Sequence, residues 1–156
     1  MITIKNSVGR LYGQIVEESD WEKSVNFVTP PKNNLQVATM QRPISTIEPH
    51  VHKESARNVV GTQEVLVILE GSLRVTFFEV DGTYLDSHVV GPGQVIVLIS
   101  GGHSFEILSP LKMVEVKQGP YGGPFEKQRI QPQNVPEFKT EAQPLLQETS
   151  HDETEV

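Results

Sequence analysis

Gln63-Glu64-Val65-Leu66-Val67-Ile68-Leu69-Glu70-Gly71 is the stretch that decides the fold. A strand with one wet face alternates apolar and polar residues. This run is apolar on both parities, so both of its faces are predicted to be buried. Working forward, Gly71-Ser72 turns the chain and residues 73–80 run out to Asp81-Gly82, the strongest short hairpin signal present. Residues 83–90 return, and Gly91-Pro92-Gly93 leads into a second run, 94–99, that is again apolar on both sides. Ser100-Gly101-Gly102 turns into residues 103–108, and beyond Ser109-Pro110 the segment 111–117 completes the set. Short strands at this spacing, with no long helical period, predict an all-β sandwich or barrel paired antiparallel.

Working backward, Ile2-Thr3-Ile4 and Leu11-Tyr12-Gly13-Gln14-Ile15-Val16 read as edge strands. Ser19-Asp20-Trp21-Glu22 has capping-box spacing and predicts one helical turn. Prolines and asparagines make Thr29-Pro30-Pro31-Lys32-Asn33-Asn34 a loop. Strands are predicted over 35–40 and 44–48, and a polar loop over 53–62. The whole gives one domain over 1–121, then an extended, disordered, proline-bearing acidic tail over 122–156, mobile from about Phe138.

The chain has 156 residues, enough for a real core, and no cysteine, which excludes disulfides and thiolate ligands. Net charge is −7, of which residues 137–156 carry −5, so the acidity belongs to the tail. No basic stripe exists, which argues against nucleic acid as a partner. No apolar run approaches the roughly 20 residues of a membrane helix, and no secretory segment opens the chain. A soluble, cytoplasmic protein is expected.

The chemistry sits at strand starts: His50-Val51-His52, Glu64 and His103. Residues two apart on a strand share a face, so His50 and His52 are expected to point the same way. A curled sheet can bring Glu64 and His103 to the same interior. Three imidazoles and a carboxylate suit Fe, Mn, Ni or Zn, and an open coordination position would allow Lewis-acid or oxygen chemistry. Taken alone, a His-x-His pair is an ordinary surface feature; the Glu and third His shift the balance toward a metal site.

These residues resemble the cupin superfamily. His50, His52, Glu64 and Gly71, with six residues between the last two, match its first motif, and Gly93, Gly101 and His103 match its second. The resemblance covers residues 35–117. It implies a double-stranded jelly-roll barrel holding one divalent metal on His50, His52, Glu64 and His103. Two departures stand out: a long insertion between His52 and Glu64, and Ile99 or Ser100 near the place of the second motif's proline. The ending Glu115-Val116-Lys117-Gln118-Gly119-Pro120-Tyr121 is similar to small WbuC-type cupins linked to surface-polysaccharide sugars. The implied function is a metal-dependent enzyme, isomerase-, epimerase- or oxygenase-like, acting on a small polar molecule such as a sugar or nucleotide sugar. The alternatives are a non-catalytic sensor with the same metal-anchored pocket, or a metal-free structural cupin.

Lys53 and Arg57 could receive a carboxylate or phosphate, or be solvated charges. Phe105, two after His103, is expected to share its inward face and line the pocket. Glu115 and Lys117 share a face whose default reading is surface, with Val114 and Val116 as core. Tyr84, Asp86 and His88 read as a solvent-exposed face. Strands buried on both sides suggest that a second subunit covers one outer sheet, giving a homodimer.

Overall fold

The computed structural model describes residues 1–21, 24–54, 56, 58–119, 123 and 126–138. Among them are ten strands: β1 (Ile2–Lys5), β2 (Leu11–Val16), β3 (Ser24–Phe27), β4 (Ala38–Gln41), β5 (Glu64–Glu70), β6 (Leu73–Phe78), β7 (Tyr84–Val90), β8 (Val95–Leu98), β9 (Gly102–Ile107) and β10 (Lys112–Lys117). The one helical piece is a 3-10 turn, Glu18–Asp20, closed by a reciprocal box between Glu17 and Asp20 rather than from Ser19. The fold is therefore all-β.

The strands form three separate antiparallel sheets: β1-β2-β8-β5-β10, β7-β6-β9 and β3-β4. Hydrogen bonding does not run round into one closed barrel. The two larger sheets face each other across the core. Ile15, Leu66, Ile68, Ile96 and Leu98 come from one, and Leu73, Val75, Phe77 and Val90 from the other. Period-two alternation then fixes what else points inward. Glu64 lies on the parity of Leu66 and Ile68. His103 is the register partner of Phe77, and Phe105 that of Val75.

The runs apolar on both parities have the predicted cause only in part. Val65 and Val97 turn away from this core into a second cluster with Val16 and Val28, flanked by Leu35 and Val37. Farther along, the cover ends: Leu69 is 45% exposed, Val114 46% and Val116 50%. That corrects the reading of Val114 and Val116 as core. The alternation of β10 instead puts Met113 against the core and brings Lys117 to a cavity.

Two further expectations fail. Residues 44–48 form no strand; every described position over 42–62 is exposed. Pro43 and Pro49 remove donors at both ends, and Ile44 and Ile47 have no sheet to pack on. His88 is half-buried, its ring donating to Asp86 Oδ2 at 2.9 Å, rather than lying on an open face.

Gly71 must be glycine. Its φ is +76°, and a Cβ there would run into the Pro110 carbonyl of the turn before β10. The chain after β10 also returns to the sandwich. Ile130 lies against Gly102, and Tyr84 N donates to Gln133 O at 3.0 Å. Arg74 sits 4.3 Å over the Phe138 ring. Residues 139–156 lie outside the described residues, as do the predicted tail's properties there.

Candidate functional site

Glu64 opens β5 and His103 is the second residue of β9, so the two sheets deliver them face to face. Glu64 Oε2 is 3.4 Å from His103 Nε2. The Glu64 side chain is 10% exposed and that of His103 29%. The Phe105 ring stands 5.3 Å from the His103 ring, on the shared face that its spacing predicts, but it packs against the core and does not line the cavity described next, so its expected pocket-lining role is corrected. Behind the turn into β9, Gly101 adopts φ +76° and leaves its Cβ space to the Tyr12 ring, whose hydroxyl donates to Glu79.

Both groups line a cavity of about 500 Å³, a size that suits a small molecule. Gly61 and Thr62 lead into it, Gly101 and Gly102 contribute backbone, and Val80 and Ile130 supply apolar surface. Lys117 faces Glu64 across the β10–β5 ladder. Its Nζ lies 3.2 Å from Glu126 Oε2. Lys127 and Gln128 complete the wall.

The His103 ring holds the Glu64 carboxyl below the usual glutamate range; burial opposes this, and Lys127 and Lys117 add smaller attractions. Glu64 is therefore a carboxylate at neutral pH. In the metal-free chain the Nε2–H of His103 would face that carboxylate, and a metal seated between the two would displace that proton and take the Nε2 lone pair. The depressed value has a thermodynamic consequence. Folding lowers the Glu64 pKa, so the unfolded chain binds more protons in the window between the two values. The resulting stability is present above the unfolded value and is lost as pH falls through the folded one. Urea unfolding from about pH 7 to about pH 3 should show wild type and Glu64→Gln converging toward the acid end. A constant gap across that range would contradict the assignment.

The other predicted ligands lie elsewhere. His50 and His52 sit on the exposed 42–62 segment, their rings edge-to-face at 5.2 Å, and neither lines the cavity. His50 Nδ1 donates to the Glu48 carbonyl at 2.9 Å, which leaves the Nε2 lone pair for a ligand role. Among the described residues, no three His, Asp or Glu side chains are grouped to hold a metal. Lys53 is exposed and away from the cavity; Arg57 lies outside the described residues. Sequence reasoning did not find Glu126, Lys127 and Gln128, because nothing in that polar segment announces that it folds back. The cross-strand pairing of Lys117 with Glu64 could have been found from the strand pattern.

No protein-family model, no curated protein and no solved structure matches the chain. Among the described residues no helix is long and apolar enough to cross a membrane.

Proposed function

We propose that the chain is a cupin-type jelly roll whose Glu64–His103 cavity binds a small polar molecule beside a divalent metal. The observation that carries this is the 3.4 Å approach of Glu64 Oε2 to His103 Nε2 inside one small-molecule-sized cavity. Two neighbouring ligands of a tetrahedral ion with bonds near 2.1 Å lie about 3.4 Å apart, so this pair fits half of a coordination shell. His50 and His52 do not fit as they stand; to join, they must be carried onto the pair by the exposed 42–62 segment. Fe, Mn, Ni and Zn all accept this donor set, and the metal would supply Lewis-acid or oxygen chemistry. The chain's own part is to hold Glu64 ionised, orient His103 and present the ligand to both. Elemental analysis of the purified chain, followed by metal titration, tests this: about one ion per chain is expected.

A second reading is favoured by the placement of His50 and His52 outside the cavity. In it, Glu64 and His103 serve as a metal-free carboxylate–imidazole pair in a non-catalytic binding module. Titration with no metal uptake would select it.

The uncovered stripe of Leu69, Val114 and Val116 on the outer face of β5 and β10 is proposed to be buried in a symmetric homodimer. Light scattering behind size exclusion should give twice the chain mass. A monomer mass would rule the dimer out.

A further inference from the structure

The ion pair between Lys117 and Glu126 is unusual for its surroundings. Its two side chains are only 22% and 17% exposed, and Glu126 is not part of the sandwich but reaches back from the segment beyond β10. A carboxylate is thus already seated on Lys117 inside the cavity. Lys127, beside it, lines the same cavity, and among the described residues it has no ion-pair or hydrogen-bond partner. The other carboxylate there, Glu64, is engaged by His103.

We propose that this cavity binds a small carboxylate anchored by Lys117 and Lys127, and that Glu126 holds the carboxylate's place on Lys117 in the free chain. The proposal rests on the reading of the Glu64–His103 cavity as the functional centre. A carboxylate, rather than a phosphate, follows from the group that already fits. An ammonium is a compact point charge that one carboxylate oxygen can satisfy, whereas phosphate recognition commonly adds an arginine fork or a backbone cradle. An incoming carboxylate takes over Lys117, releases Glu126 to solvent and gains Lys127, so no buried charge is left alone.

The test is a backbone-amide NMR titration of the full chain with succinate, with its neutral diamide succinamide, and with inorganic phosphate. Succinate is expected to shift the amides of Gly102, Lys117 and Lys127. Glu126→Gln, which removes the internal competitor, should tighten succinate binding by about fivefold or more, and Lys127→Gln should weaken it by a similar factor. Unchanged affinity in Glu126→Gln overturns the proposal, as does equal binding of succinamide or of phosphate. If Glu126→Gln does not fold, Lys127→Gln, altered at an exposed side chain, carries the same test. Metal titration of the same samples separates the two levels. Uptake at Glu64 and His103 without succinate shifts removes only the carboxylate proposal; neither response removes the cavity reading as well.

Discussion

Phe77→Ala is expected to cost about 3–5 kcal/mol of folding stability, the range for truncating a buried aromatic side chain. That is a large share of the 5–15 kcal/mol that typically separates folded from unfolded domains. Phe77 is fully buried near the C-terminal end of β6. Its ring fills the space over Gly13 in the facing sheet, where an added Cβ would meet Cε1 at 2.5 Å and the Val97 carbonyl at 2.9 Å. Gly13→Ala should therefore destabilise the wild-type chain but cost much less in the Phe77→Ala background, where the ring is gone and only the carbonyl remains. Urea unfolding of the four species closes a double-mutant cycle, and a coupling of about 1 kcal/mol or more is expected. Additive effects would show that the two sheets do not meet there. The same substitution reaches the candidate site, because Phe77 is the register partner of His103. Loosening it should weaken whatever the Glu64–His103 pair binds.

If the proposed metal site holds, His103→Ala is expected to lower metal affinity by about a hundredfold or more, because it removes one of the two proposed ligands that face each other in the cavity. Glu64→Gln should fall in the same direction. The amide keeps the shape but not the charge, leaving His103 without its carboxylate. His50→Ala and His52→Ala discriminate between the readings. Losses as large as that of His103→Ala mean that the exposed pair joins the same ion. No loss, with His103→Ala still impaired, means that the pair plays no part. Circular dichroism on each variant separates lost ligation from lost fold. Calorimetric titration with Zn²⁺ and Mn²⁺ gives the affinities.

The all-β class and its antiparallel strands were legible because their signals are local. The doubly apolar runs 65–69 and 95–99, the Asp81-Gly82 turn and the glycine punctuation of 91–102 place six of the strands, β5 to β10. The partnership of Glu64 with His103 was also legible, since both fall on inward parities at strand starts. What was not legible depends on distant partners. Residues 44–48 have strand-like composition but gain no strand, because no sheet edge receives them. Val114 and Val116 look like core, yet the cover over β5 stops at Val65 and does not reach them. The wall formed by Glu126, Lys127 and Gln128 is invisible because a polar stretch that folds back has the same composition as one that does not. His50 and His52 carry the motif that suggests a metal, but motif spacing specifies residues and not the path of the twenty-one-residue segment, 42–62, on which they ride.

The most direct measurement is an anomalous-scattering difference map from crystals grown in Zn²⁺ or Mn²⁺ without chelator. One strong peak is expected in the cavity, within about 2.5 Å of both a Glu64 carboxylate oxygen and a His103 ring nitrogen. A peak only at His50 and His52 on the exposed segment, or no peak in the cavity at metal concentrations that saturate the protein in solution, would contradict it.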